Sequence, residues 1–439
     1  MKYLLSFFSL GLLFLSTFVQ AQSHLSLRFR PELSSAQLFQ PAYIGKNKLV
    51  KFDLGLDGFY ELASNSLSRQ NIFLSDVSLD EELKDRILSD LDSDNRLRLG
   101  AGAMAQVGFR LGNFPLAVSY GIHQQAWGQV NQPTTLGLLL YGNKHYAGQR
   151  LVEDQAQAQL LSYQEFGLGT GIHRGDLHLG LRAKFLLGGS STFIDELSFE
   201  LETDSLGTEL DAMGNYNIFL GQEPGMGAAL DLGLVYNIGE RISVQASFEN
   251  LGFINFQGEE LSKNFDINYQ GEEVESLDDL LSGGNFSSVD SLLEEVLPDT
   301  AQGSLLRTLP GRYHLGISYK LGSHHSFQLS LLGSNRIEGG GRPNPFVNLG
   351  YQYRLGSQNV FVGLNVFAGG LEGFGFGGMI SGDFLFVNKH VQAYVQAPNL
   401  WGWIRPEEAA GNLLSAGLGF RLEYLELPSS RSRNEPFKD

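Results

Sequence analysis

The feature that most constrains this chain is a strict alternation of apolar and polar residues, held over runs far longer than an ordinary strand needs. Residues 50–62 set Val50, Phe52, Leu54, Leu56, Tyr60 and Leu62 on one face and Lys51, Asp53, Asp57 and Glu61 on the other. Residues 96–111 set Leu97, Leu99, Ala101, Ala103, Ala105, Val107, Phe109 and Leu111 against Arg96, Arg98, Gln106 and Arg110. Residues 176–187 set Leu177, Leu179, Leu181, Ala183, Phe185 and Leu187 against His178, Arg182 and Lys184. Successive strand side chains point to opposite faces, so each run has one greasy and one polar side. Strands of soluble sandwiches end after about five or six residues, whereas many runs here reach 10 to 16. A tilted strand crosses a bilayer in roughly 9–11 residues. After the N-terminal segment no apolar stretch approaches the roughly 20 residues of a spanning helix, so a membrane would be crossed by strands.

Turn residues divide the runs. Short connections fall at Gly112-Asn113, Arg174-Gly175, Ile238-Gly239-Glu240, Gly322 to His325, Gly356-Ser357 and Asn388-Lys389. Gly and Asn supply the positive φ that tight hairpins require. Between them lie long polar stretches at 64–94, 128–158, 189–224, 251–310, 335–344, 369–373 and 398–411. The expected fold is all-β: a transmembrane antiparallel barrel of 14 strands within 47–427, with short periplasmic turns and long outer loops. A further hairpin within 191–220, where Phe199, Leu201, Tyr216 and Ile218 alternate, would raise the count to 16. Closure removes the exposed edges of an open sheet.

The N-terminus carries Lys2, an apolar run from Leu4 to Leu15, and Val19 and Ala21 before Gln22. Residues 1–21 therefore read as a secretory signal peptide. Residues 22–46 read as either a lumenal plug or a periplasmic segment, and 428–439 as a disordered polar tail. The chain has no cysteine, which excludes disulfides, thiolate metal sites and a lipid-anchored cysteine. Its net charge of −17 is the wrong sign for nucleic acid. Localisation is expected in a bacterial outer membrane, with membrane lipid and the barrel-assembly machinery as partners.

On the inward face, charges of both signs alternate with glycines. The lumen-lining candidates are Asp53, Asp57, Arg96, Arg98, Arg110, Glu165, Arg182, Lys184, Asp231, Arg312 and Arg354, joined by Glu249, Lys320, Arg421 and Glu423. Gly167, Gly169, Gly171, Gly227, Gly233, Gly417 and Gly419 share that face and leave room for a plug or a ligand. Tyr236, Tyr319, Tyr353 and Tyr424 lie on the apolar face near the short turns, where amphipathic rings form an interface girdle.

Two loop segments read as helical. Ser78-Leu79-Asp80-Glu81 resembles a capping box ahead of Leu83, Ile87, Leu88 and Leu91, and Val289, Leu292, Leu293 and Val296 form a stripe ending at Pro298. From Glu259 to Asp299 there are twelve acidic residues and one lysine, which reads as a solvated acidic loop, without calcium-loop spacing. The histidines read as isolated side chains, apart from the adjacent His324 and His325 in a turn. No metal site, cofactor or enzymatic constellation is expected, since paired-histidine, nucleophile-elbow and phosphate-loop patterns are missing.

Tyr163 to Gly188 (YQEFGLGTGIHRGDLHLGLRAKFLLG), Thr134 to Asn143 (TTLGLLLYGN) and Ser247 to Phe256 (SFENLGFINF) resemble an uncharacterised outer-membrane barrel family of the Bacteroidota. That family is distantly similar to fatty-acid transporter-type barrels and to barrels that shuttle secreted proteins. The resemblance implies fourteen strands and transfers no functional residue. Gln40-Pro41-Ala42 stands where such barrels often have Asn-Pro-Ala. Two functions stay open: passive transport or binding of a small hydrophobic or amphipathic molecule, and a non-conducting scaffold whose outer loops dock a surface or secretion complex.

Overall fold

The computed structural model describes residues 40–46, 50–67, 80–91, 93–206, 209–269, 297–334, 345–356, 360–369, 373–386, 389–397, 399–400, 404 and 411–425. The signal peptide, most of the N-terminal segment, the 289–296 stripe and the C-terminal tail lie outside these residues. The strands are β1 (Val50–Ser64), β2 (Asn95–Leu111), β3 (Phe114–Val130), β4 (Arg150–Arg174), β5 (Leu177–Gly188), β6 (Ser191–Thr203), β7 (Leu210–Ile238) and β8 (Ile242–Tyr269). They continue as β9 (Asp299–Thr308), β10 (Arg312–Leu321), β11 (His325–Ser334), β12 (Phe346–Leu355), β13 (Val360–Gly369), β14 (Phe374–Phe386), β15 (Lys389–Ala397) and β16 (Gly411–Leu425).

All neighbours are antiparallel, and β1 meets β16 with Val50 opposite Leu425, so the sheet closes. The ring is one of fourteen staves, because two staves are each broken into two strands. On one, β5 pairs with the lower halves of β4 and β7, and β6 continues upward along their upper halves. On the other, β9 runs down β8 from Ser262 to Phe253, and β10 takes over from Glu249. The breaks fall at Gly189-Ser190 and at Leu309-Pro310-Gly311, where proline has no N–H to give the ladder. The extra strands expected within 191–220 do form, but they heighten the wall and leave the ring at fourteen.

Much of what reads as outer loop in the sequence is therefore strand: 150–158, 191–203, 210–224, 251–269 and 299–308 all belong to the wall. The signal fails there for a physical reason. Near the long-loop rim the outer face of these segments carries polar residues, so no greasy outer stripe marks them as strand. At Asn250 (φ 57°) a bulge also shifts the inward positions from Gln245, Ser247 and Glu249 to Ile254 and Phe256, so a strict two-residue period stops at that point.

Among the described residues, two α-helices sit at the long-loop end. Helix α1 (Glu81–Ser89) buries Leu83 and Ile87, and its cap is Asp80, which accepts from the Leu83 N–H at 2.9 Å. The cap thus lies two residues past the Ser78 expected from the capping-box pattern, and Ser78 itself is outside the described residues. Helix α2 (Pro133–Tyr141) is not foreshadowed by any apolar period. Its first turn is held from outside: the buried Glu153 carboxylate on β4 accepts from the Asn131 N–H at 2.9 Å, the Gln132 N–H at 3.3 Å and the Thr135 hydroxyl. Tyr141 joins the helices by donating to Asp85 at 2.6 Å, with Lys84 over its ring. That hydrogen bond pushes the Tyr141 hydroxyl pKa up to about 12.

Candidate functional site

The lumen is filled in three storeys, counted here from the short-turn end. The lowest holds residues 40–46, which form a tight turn at Pro41–Tyr43. Gln40 Nε2 donates to the Ala246 carbonyl at 2.9 Å and the Tyr43 hydroxyl donates to Gln245 at 2.9 Å, both on β8. Arg110 on β2 donates to the Gly45 carbonyl at 2.8 Å. The segment rests on inward glycines: a Cβ at Gly180 would collide with the Pro41 backbone, one at Gly233 with Gln40, and one at Gly169 or Gly171 with Ile44. Absent side chains on the wall are thus what lets the backbone lie flush against it.

A histidine pair ties the same segment to β4 and β5. The Asn237 side-chain amide lies 3.0 Å from His178 Nε2, the two Nδ1 atoms of His178 and His173 lie 3.0 Å apart, and His173 Nε2 lies 2.7 Å from the Ile44 carbonyl. With the amide donating, one tautomer set satisfies every contact: His178 donates from Nδ1 and His173 donates from Nε2 to Ile44. The sequence reads these histidines as isolated, because their partnership runs across a hairpin and into a segment 129 residues away.

The middle storey is charged. Lys184 Nζ lies 3.0 Å from Glu165, 2.9 Å from Asp231 and 2.9 Å from the Asn250 side-chain oxygen. Arg182, 1% exposed, reaches Asp231 at 3.5 Å and crosses the lumen to donate to Gln106 on β2 at 2.9 Å. Asp231 also accepts from the Asn250 N–H at 2.8 Å, so the bulge and the ions form one network. His123 Nε2 approaches Glu165 at 3.4 Å and its ring stacks on Tyr163 with centroids 4.8 Å apart. Buried ions without partners are costly, and here each carboxylate of Asp231 and Glu165 is held by a cation.

The upper storey is apolar. Leu161, Tyr163, Leu186, Phe193, Phe219, Ala229, Ile254, Phe256 and Leu309 form one buried cluster on the inner faces of β4–β8 and just after β9. Arg307 of β9 closes over it, stacked on Phe193 and paired with Asp195 of β6. Elsewhere the interior is also bridged, as Met104 on β2 meets Leu332, Phe346 and Phe367 from β11–β13.

Of the sequence candidates, Glu165, Arg182, Lys184 and Asp231 converge in the charged storey, with Glu249 buried beside them and Arg312 opposite it in the β8–β10 register. Asp53 belongs to a second group near the short turns, where Arg421 bridges Asp53 at 3.6 Å and Glu423 at 2.7 Å, and His390 lies 2.8 Å from Glu423. Asp57 accepts from the Tyr394 hydroxyl. Arg110 serves the N-terminal segment, Arg96 pairs with Asp94 at 2.7 Å near the long loops, and Arg354 lies over Phe361. Arg98 is half-buried near the long-loop end, and Lys320 is exposed beside a short turn. Tyr236, Tyr319, Tyr353 and Tyr424 are all exposed on the outer face near the short turns. Gln40, Tyr43, Gln106, His123, His173 and Asn250 gave no sequence signal of their roles, because each role depends on a contact between distant strands.

A model for a family of unknown function, DUF5723, matches residues 41–389. The chain belongs to that family. No curated relative matches this DUF5723 chain. Among solved structures it is similar to a Pseudomonas aeruginosa FadL homologue, at 9% identity over 93% of this chain and 96% of that one, with a TM-score of 0.46. It is also similar to the P. putida toluene transporter TodX, at 8% identity over 89% and 93% of the two chains, with a TM-score of 0.43. A third is the translocator domain of the autotransporter NalP from Neisseria meningitidis, at 7% identity over 86% and 91%, with a TM-score of 0.34. Similarity at this level says nothing about cargo.

Proposed function

We propose that this chain is an outer-membrane carrier, in a diderm bacterium of the Bacteroidota, that binds a small amphipathic molecule and passes it inward without converting it. The observation that carries this reading is the stacking of the lumen: an apolar inner patch around Phe193, Phe219 and Phe256 lies directly above the buried ions of Lys184, Asp231 and Glu165. A tail and a head would find matching surroundings in that order. Residues 40–46 close the floor beneath both. The apolar outer surface, with rings such as Tyr236 and Tyr424 near the short turns, suits a bilayer whose inner boundary lies at that end. The test is saturable binding of a fluorescent amphiphile to the refolded mature protein in nanodiscs, with empty nanodiscs as the blank. Saturable binding above the blank is expected; partition indistinguishable from the blank refutes the carrier.

A scaffold reading draws on a different observation, the wall of β6–β9 that continues beyond the span of the shorter strands. Its signature would be a stable complex lost on deleting 257–300, with amphiphile binding unchanged.

A further inference from the structure

We infer that Lys184 and Asn250 are the partners of an intramolecular amide bond, formed once after folding with loss of ammonia, that joins β5 to β8 across β7. Lys184 is the one buried lysine among the described residues, and its Nζ lies 2.9 Å from the Asn250 side-chain oxygen. The electrophilic Cγ is one C=O bond beyond that oxygen, about 1.2 Å, so a small turn of the amide brings carbon and nitrogen to attack distance. Asp231 holds both reactants at once. One of its carboxylate oxygens accepts from the Asn250 N–H at 2.8 Å, and the other lies 2.9 Å from Lys184 Nζ. Asn250 sits at φ 57°, a left-handed position that asparagine tolerates better than most residues.

An amine attacks only as the free base, and Glu165, 3.0 Å from Nζ, is placed to make it one. The ion pair is the resting form, and a proton shift along that contact gives the reactive amine. The reaction is needed once per molecule, so a minor form suffices, and fixed neighbours supply the effective concentration that free amines and amides lack in water. Lys184, Asn250, Asp231 and Glu165 are each at most 6% exposed, which keeps out water that would solvate the amine. Nζ forms the new bond to Cγ. Glu165 then gives its proton to the amide nitrogen and takes a second from Nζ, the Cγ–Nδ2 bond breaks, and ammonia leaves. An ammonium, a carboxylate and a carboxamide thus become a secondary amide, a carboxylic acid and ammonia, with atoms and charge balanced. Asp231 keeps Arg182 at 3.5 Å, so the storey stays polar.

The test is a tryptic map of the full mature protein, folded in a bacterial outer membrane, extracted and then denatured. Acylated Lys184 is not a trypsin site, so the bond is expected to yield 183–241 joined to 242–263, lighter than the two peptides together by one ammonia. Intact mass alone does not decide, because a chain beginning at Gln22 loses ammonia by cyclising its own N-terminus. The same chain recovered unfolded, and folded N250A and E165Q, are expected to give free 242–263 and cleavage after Lys184. Free 242–263 from folded wild type overturns the inference, a result that does not depend on E165Q folding. Loss of one water with 242–263 free puts the bond at Asp231, inside 183–241, and overturns the assignment to Asn250. A linked pair in folded E165Q overturns the role of Glu165 as base, and one in the unfolded chain overturns the dependence on the fold.

Discussion

Replacing Gly180 by valine puts a branched side chain where the Pro41 backbone now lies against β5. The seated segment is close to balance. Its four bonds to the wall, from Gln40, Tyr43 and Arg110 and to the Ile44 carbonyl, contribute about 4 kcal/mol together. Burying Tyr43 and Ile44 adds about 5 kcal/mol. Ordering the segment costs roughly 1–1.5 kcal/mol per residue, about 7–10 kcal/mol over residues 40–46. A clash with backbone, which cannot rotate away, costs roughly 1–3 kcal/mol more, enough to lower the seated population roughly 5- to 150-fold. Hydrogen exchange reads this directly, because the Tyr43, Ile44 and Lys46 amides all donate within the seated turn. Their protection should collapse in G180V while the β5 and β7 amides stay protected, and trypsin should gain access to Lys46. Unchanged protection of those three amides in a folded G180V barrel would refute the idea that inward glycines make the seat.

Three further outcomes follow from described contacts. K184M leaves Asp231 with Arg182 as its sole cation and Glu165 with only His123 beside it, and should cost roughly 3–5 kcal/mol, seen as a lower temperature for loss of the compact band on unboiled gels. Adding D231N should recover part of that loss, and no recovery would count against the pairing. E153A removes the acceptor for the first turn of α2 and should weaken that helix by about 1–2 kcal/mol, read as faster exchange at Leu138 to Tyr141 with the β4 ladder unaffected. D85N should return the Tyr141 ionisation from about 12 toward the ordinary value near 10, since the raised value depends on a hydrogen bond that ionisation destroys. Carbon-13 labelled tyrosine resonances would follow it, and an unmoved midpoint would exclude Asp85 as the cause.

How much of this was legible depended on which solvent each residue faces. Where one face meets lipid and the other the lumen, alternation is strict, and β2 at Asn95–Leu111 is readable to the residue. Where the wall stands in water, Glu259, Glu260 and Asp266 look like a loop although they belong to β8. The charged candidates Glu165, Arg182, Lys184 and Asp231 could be placed on the inward face by parity alone, but not paired. Pairing depends on register across four strands and on the Asn250 bulge, neither of which leaves a local trace. Helix α2 was invisible for a related reason: its cap comes from β4, twenty-one residues away for the Gln132 amide.

Beside the two broken staves stand two that run the full height of the wall. Strands β7 and β8 run without interruption from Leu210 and Tyr269 at the outer rim to Ile238 and Ile242 at the short-turn end. Asp231 and Glu249 are carried on these same two rails. The outer rim is therefore joined by continuous backbone to two carboxylates buried in the lumen. Nothing comparable reaches them through β5 or β10, whose staves have joints in between. The tallest part of the wall and two of its buried charges thus share the same two strands.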